Sequence, residues 1–374
     1  MYQRYSKVLE QLEILNNLRV LPGKLPQDCV NLSSNDYLGL NEDIALKTEF
    51  INSPSTCDMK FSAVSSRLLT GNSDVYNILE DKIASAFNRE ACLVYNSGYH
   101  ANIGILSSLA GKNDLLIADK LVHASIIDGM QLCKAEMQRY RHLDYDHLED
   151  ILIKSRNNYD QVFIITESIF SMDGYKADLL RLIELKKKYR CFIYLDEAHA
   201  FGVYGKNGLG IAEEEECIND CDFIVATFGK ALASIGAFLI CDEIIKRYLV
   251  NHSRSLIFTT ALPPVNMEWT MFLFDRLSSF DEKRKHLKML AQLFSQSLDL
   301  SYSSHIIPWI TGTNESAVSL SGLLRENGIH VMPIRYPSVA KGTARLRFSL
   351  FANLSLSSLL QIPQIISSYE PKMD

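Results

Sequence analysis

Two spacings of apolar residues alternate along this chain. Ala91–Tyr95, Asp114–Asp119, Gln161–Thr166, Cys191–Leu195 and Phe223–Ala226 are nearly unbroken apolar runs. A strand open to water on one face would alternate, so these runs predict strands covered on both faces. Between them, helical spacing recurs. Val75, Ile78, Leu79, Ile83 and Ala86 form a stripe within Asp74–Phe87, and a second helix is expected over Ala101–Ala110. Strands separated by helices predict an α/β fold with a mostly parallel, doubly wound sheet.

The two ends of the chain read differently. Tyr5, Val8, Leu9, Leu12 and Leu15 share one face of a helix within residues 1–20, which Pro22-Gly23 and Pro26 end. Such an arm needs a surface to dock on, its own body or a partner subunit. Val30 begins a short strand that runs into a turn before Leu40. Beyond a helix at Phe280–Leu298, strands are expected at His305–Ile310 and Ile329–Ile334, with a helix over Glu315–Asn327 between them. A last strand, Thr343–Leu350, puts Arg345 and Arg347 on one face, with Arg345 expected to be solvated. The expected organisation is an arm over 1–42, a large domain over 43–279 and a small C-terminal α+β domain over 280–374.

Length and charge narrow the class. The 374 residues suit one large and one small domain. A formal net charge of −6 argues against a general attraction to nucleic acid or anionic lipid. The eight cysteines are scattered without a Cys-x-x-Cys pair, and Cys217 and Cys221 lack a second pair of ligands. They are read as reduced thiols of a cytoplasmic protein, and no metal site is expected. Arg4, Lys7, Glu10 and Glu13 interrupt any signal-peptide core, and no apolar stretch reaches the ~20 residues of a membrane span.

The chemistry gathers where the apolar runs stop. In an open α/β sheet, ligands bind beyond the carboxyl ends of the strands. Those ends deliver Ser97 and Gly98, His123, Ser171, Asp196-Glu-Ala-His199, and Thr227-Phe-Gly-Lys230. A carboxylate and a lysine presented together suit a cofactor with a cationic ring nitrogen and an aldehyde. Pyridoxal 5'-phosphate has both. The glycine turn before the Ala101–Ala110 helix offers backbone N–H groups to a phosphate. Asp196–His199 also spells the DEAH box of nucleic-acid motors, a remote alternative that requires Gly-x-x-x-x-Gly-Lys-Ser/Thr. Gly111-Lys112, Gly205-Lys206 and Gly229-Lys230 are followed by Asn113, Asn207 and Ala231, so none fits.

Several ordered blocks carry a resemblance. They are Ser33-Ser-Asn-Asp-Tyr-Leu-Gly39, Ser66-Arg-Leu-Leu-Thr-Gly71, Asn96-Ser-Gly-Tyr-His-Ala-Asn102 and Phe170-Ser-Met-Asp-Gly174. Asp196–His199, Thr227–Lys230, Thr259-Thr-Ala-Leu-Pro-Pro264 and Gly342-Thr-Ala-Arg-Leu-Arg347 complete the set. From Asn31 to about Leu350 the chain resembles the α-oxoamine synthases, pyridoxal-phosphate acyltransferases of fold type I. The resemblance implies that Lys230 holds the cofactor covalently and that Asp196 partners its ring nitrogen. His123 would stack on the ring, with Ser171 and His199 near its 3-oxygen. Ser97, Gly98, Tyr99 and Thr227 would hold the phosphate, joined by Thr259 or Thr260 of the other subunit. Asn35 and Arg347 would bind the amino acid's carboxylate.

The same resemblance implies a homodimer with shared active sites that condenses an amino acid with an acyl-CoA. Ser66–Gly71 and Ser304–Pro308 favour L-alanine with a pimeloyl thioester over glycine with acetyl-CoA. One block departs from the family: its Gly-Ser-Gly-Gly run is replaced by Lys60-Phe-Ser-Ala-Val-Ser-Ser-Arg67. Phe61, Ala63 and Val64 are therefore expected to shape the acyl-chain path. Tyr76 stands where a histidine is common.

Overall fold

The apolar runs become five strands of a seven-stranded sheet in the computed structural model, which describes residues 2–26, 28–53, 59–301 and 304–369. Its strands are β1 (Ala91–Tyr95), β2 (Leu115–Asp119), β3 (Glu136–Tyr140), β4 (Val162–Glu167), β5 (Phe192–Asp196), β6 (Phe223–Thr227) and β7 (Ala237–Cys241). Their order across the sheet is β1-β7-β6-β5-β4-β2-β3. β7 is antiparallel to both β1 and β6, so six of the seven strands point one way. All residues of β1, β2, β4, β6 and β7 are buried, which is the covering on both faces that their unbroken apolar sequences require.

Two strands lie outside those five runs. β3, Glu-Met-Gln-Arg-Tyr, lies at the sheet edge and buries only Tyr140, so its sequence carries no apolar run. β7 is apolar but follows β6 so closely that it returns antiparallel instead of crossing over. The chain runs outward from β2 to β3, then crosses back to β4 and continues in the other direction. This reversal is the point at which such sheets bind ligands.

The chain divides into two compact units. One holds residues 38–170 and 176–284, and with them the large sheet. The other holds the described parts of 1–37, 171–175 and 285–374. In that second unit, Pro333–Ile334, Ala344–Ser349 and Ile306–Gly312 form a three-stranded antiparallel sheet. Val30–Asn31 pairs in parallel with Ile329–His330. The single strand expected over Ile329–Ile334 is thus two short strands in different sheets.

The N-terminal helix is Gln3–Ile14, shorter than expected, and buries no residue. Tyr5, Val8, Leu9 and Leu15 are exposed. The segment after the helix is tied down: Asn16 bonds Glu315, Arg335 bonds the Asn16 and Leu18 carbonyls, and Arg19 bonds Ser338.

One buried charge cluster braces the large sheet. Glu80, 2% exposed, meets Arg67 at 2.6 Å and Lys246 at 3.0 Å and accepts from the Val94 N–H at 2.7 Å. Removing its carboxylate would strand two cations. Glu80→Ala should therefore cost about 3–5 kcal/mol. Asp275→Ala, which breaks the exposed Lys82–Asp275 pair, should cost less than about 1 kcal/mol. Urea titration of both variants checks this, and equal midpoints would contradict it.

Candidate active site

A pocket of about 180 Å³ lies at the carboxyl ends of the large sheet's strands. Gly98, Tyr99, Asn102, His123, Ser125, Glu167, Asp196, Ala198, His199, Thr227 and Lys230 line it. Five strands contribute, each delivering its chemistry at its last residue or in the loop or helix that follows. Lys230 lies three residues past β6, and its Nζ is 2.8 Å from His199 Nε2. Asp196 closes β5 and is 5% exposed. Its two oxygens each meet an N–H: Oδ1 accepts from the Ala198 backbone and Oδ2 from Asn102 Nδ2, both at 2.9 Å.

The helix Gly98–Leu109 points its N-terminus at the pocket. Ser97 caps it, accepting from the His100 N–H at 3.2 Å. A Cβ built on Gly98 would reach no atom nearer than Thr227 Cβ at 3.9 Å, so that helix start is open to a ligand. Thr227 Oγ1 donates to the Gly236 carbonyl at 2.8 Å and accepts from the Gly229 N–H at 3.1 Å. Tyr99 is half-exposed and its hydroxyl bonds Asp128. Thr259 and Thr260 are not among the lining residues; Asn96 Nδ2 bonds Thr259 Oγ1 at 3.3 Å and the Thr260 carbonyl at 2.6 Å.

His123 caps the helix Ala124–Leu132, and its own N–H donates to Glu167 Oε1 at 2.5 Å across the chain reversal. Burial holds the His123 imidazole below its ordinary pKa; Asp196 pulls it upward and Lys230 pushes it down. These residues fit a cofactor with an anionic tail, a cationic ring nitrogen and an aldehyde. The helix start can meet the tail, Asp196 the ring nitrogen and Lys230 the aldehyde.

Glu197 faces the other way. Ser168 Oγ donates to it, as do the Ile211 and Ala212 backbone N–H groups at 3.2 and 2.8 Å. It closes a buried turn and takes no part in the pocket. Glu213 accepts from the Asn207 and Leu209 N–H groups and secures the preceding loop.

The second unit holds Asn35, Ser171, Arg345 and Arg347. Arg347 is 9% exposed and donates to Asn35 Oδ1, Tyr37 Oη, Ser349 Oγ and the Ser171 carbonyl. All of these partners are neutral oxygens. Arg345 was expected on a solvated face, but it is 6% exposed and ion-paired with Asp173. Both arginines are buried because both faces of their strand are covered.

In the departing block, Val64 has φ +52, a left-handed backbone rare for a β-branched residue and easy for glycine. Phe61 and Val64 are exposed, and Ala63 is buried. Tyr76 is buried, accepts from the Leu262 N–H at 2.7 Å and lies under the Arg67 guanidinium. Lining or supporting residues that had been given no role include Asn102, Ser125, Glu167 and Tyr194. Only Asn102 lay within a recognised block.

Comparison with known proteins adds three findings. The aminotransferase class I and II family profile matches residues 27–364. The 8-amino-7-oxononanoate synthase of Haemophilus ducreyi is 50% identical over 343 residues, covering 88% of this chain and 89% of its own length. Among solved structures, 8-amino-7-oxononanoate synthase from Francisella tularensis is 31% identical with a TM-score of 0.78, covering 91% of this chain and 98% of that one. Serine palmitoyltransferase from Sphingomonas wittichii is 28% identical with a TM-score of 0.88, covering 98% and 97%.

Burial pushes the Glu197 carboxyl up to about 7, against an ordinary 4.5. The folded state therefore keeps this proton after the unfolded chain has lost it. The resulting stability is fully present below pH 4.5 and lost as pH rises to about 7. Stability of the wild type minus that of Glu197→Gln should fall by up to about 3 kcal/mol across this window. A difference that stays flat with pH in denaturant titrations would contradict the assignment.

Proposed function

The chain belongs to the aminotransferase class I and II family and, within it, to the α-oxoamine synthase group, and we propose that it is an 8-amino-7-oxononanoate synthase of biotin biosynthesis. In this reading it condenses L-alanine with a pimeloyl thioester and releases coenzyme A and carbon dioxide. The observation that carries the chemistry is one pocket holding Lys230 beside His199 and Asp196 with an N–H donor on each oxygen. The 50% identity to the Haemophilus ducreyi enzyme supports the substrate pair.

Pyridoxal phosphate is the cofactor. When bound, it supplies an electron sink for negative charge at the amino acid's Cα. Lys230 attaches it and moves the proton at Cα. Asp196 would pair with its ring nitrogen and His123 would lie over the ring. Ser171 and His199 would face its 3-oxygen side. The Ser97–Tyr99 helix start and Thr227 would hold its phosphate, with Thr259 or Thr260 of a second subunit.

Arg347 and Asn35 bind the substrate carboxylate. A buried guanidinium met only by neutral oxygens has charge left to pair with an anion, whereas the Arg345 charge is already met by Asp173. The enzyme acts as a homodimer, which would give the uncovered apolar face of Gln3–Ile14 a surface to dock on. It works in the cytoplasm, in keeping with free thiols at the seven described cysteines. Among the described residues, no helix is long and apolar enough to cross a membrane.

Borohydride treatment of protein loaded with pyridoxal phosphate should fix the cofactor on the peptide containing Lys230. Attachment to another lysine refutes the site. Arg347→Ala should raise KM for L-alanine by about tenfold or more, and Arg345→Ala by much less, since a charged hydrogen bond is worth about 1.5–3 kcal/mol. Equal effects would remove the carboxylate role.

The substrate pair is tested by kcat/KM for pimeloyl-, succinyl-, palmitoyl- and acetyl-CoA with alanine, glycine and serine. A preference for acetyl-CoA with glycine would make the protein a 2-amino-3-ketobutyrate CoA ligase (glycine C-acetyltransferase). A preference for palmitoyl-CoA with serine would make it a serine palmitoyltransferase.

A further inference from the structure

One side chain at the pocket touches everything that orients the rest. Asn102 is 2% exposed, and its carboxamide makes three hydrogen bonds. Oδ1 accepts from Tyr194 Oη at 2.6 Å, and Nδ2 donates to Asp196 Oδ2 and Ser125 Oγ, each at 2.9 Å. Ser125 Oγ lies 2.7 Å from His123 Nδ1. The Ser125 backbone N–H also points at that nitrogen, at 3.2 Å.

The proton directions in this chain are set by Tyr194 at one end and by the Ser125 backbone N–H at the other. Tyr194 is buried and its pKa lies well above the usual phenol value, so its hydroxyl keeps the proton and donates. Asn102 must therefore turn its carbonyl to Tyr194 and its NH₂ to Asp196; the flipped amide would set carbonyl against carboxylate. At the other end the Ser125 backbone N–H donates to His123 Nδ1, and Ser125 Oγ, which accepts an amide hydrogen, passes its own to the same nitrogen. His123 Nδ1 is then an acceptor, the ring is neutral, and its proton sits on Nε2. Burial depresses the imidazole pKa in the same direction.

The backbone is shaped for this contact. A Cβ at Gly129 would come within 2.6 Å of the Asn102 backbone carbonyl oxygen, so only glycine lets the helix Ala124–Leu132, with Ser125 and His123 at its start, pack this closely.

We propose that Asn102 is the positioning residue of this site, a single carboxamide that sets both the Asp196 carboxylate and the tautomer and orientation of the His123 ring. The inference rests on the pyridoxal phosphate reading for what Asp196 and His123 meet. The hydrogen-bond chain itself belongs to the protein without cofactor. Asn102 touches no reacting atom and acts through its two neighbours, Tyr194 holds it in one orientation, and Ser125 carries its influence to the imidazole.

Two readouts test this. The first is nitrogen NMR of histidine-labelled, cofactor-free protein, with His123→Gln identifying the signals. Wild type should show a neutral His123 protonated at Nε2. Asn102→Ala and Ser125→Ala should both relax that preference toward a tautomer mixture.

The second is pyridoxal phosphate binding, with the circular dichroism of the bound cofactor as the measure of its orientation. Asn102→Ala should weaken binding by about tenfold to a hundredfold and change the dichroism, because it removes a hydrogen bond from a buried carboxylate. Ser125→Ala leaves the Asp196 contact in place, so its binding should stay within about threefold of wild type. Tyr194→Phe should fall between the two.

An Asn102→Ala protein that folds and keeps both the His123 tautomer and the cofactor dichroism overturns the proposal. If that variant does not fold, Ser125→Ala and Tyr194→Phe decide: both matching wild type in both readouts also overturns it. Wild-type protein that takes up no pyridoxal phosphate brings down the cofactor reading, and the positioning role with it. Wild type that binds while the variants are unchanged brings down the Asn102 role alone.

Discussion

A carboxylate at the end of a strand buried on both faces is the constraint around which the large unit is arranged. Water cannot solvate Asp196, so the protein must supply the donors. One comes free from the turn that follows, at Ala198. The other has to come from a neighbouring element, and the helix Gly98–Leu109 brings it as Asn102. Gly98 and Asn102 are one helical turn apart and share a face. The same helix face that reaches the carboxylate therefore presents an open N-terminus to the pocket. Tyr194 lies two residues before Asp196 on β5, hence on the same side of the strand, where it meets the same amide. Open helix end, carboxylate and supporting amide are fixed by one helix crossing one strand.

Adjacent residues at a strand end point to opposite sides, which separates Asp196 from Glu197. The first faces the pocket and the second meets the backbone of Ile211 and Ala212. In a nucleotide-driven motor the two acids would share a metal and a water. Here the string Asp-Glu-Ala-His divides into a site carboxylate, a structural carboxyl and a histidine beside a lysine. The second unit shows a parallel division of labour between two arginines of one strand. Arg345 is neutralised by Asp173, and Arg347 is held by hydroxyl, amide and carbonyl oxygens alone. Burial is shared, so what separates them is the charge left over.

The sequence by itself determined where five strands of the large sheet lie, because covering on both faces demands continuous apolar runs. It also determined which polar residues end those strands, and with them the chemistry of lysine, aspartate and histidine in one crevice. It could not reveal β3, an edge strand whose polar residues leave no apolar run, or the reversed direction of β7, which no composition encodes. It placed Arg345 in water because two charges on one strand face read as solvated until Asp173 is seen opposite. The break within Ile329–Ile334 was invisible for the same reason: pairing partners far along the chain set it. Asn102 is the clearest instance. Its block was legible, but its role depends on Asp196, 94 residues away, on Tyr194 beside that aspartate, and on Ser125. A hydrogen bond requires two groups at one place, and only the tertiary structure decides which groups share one.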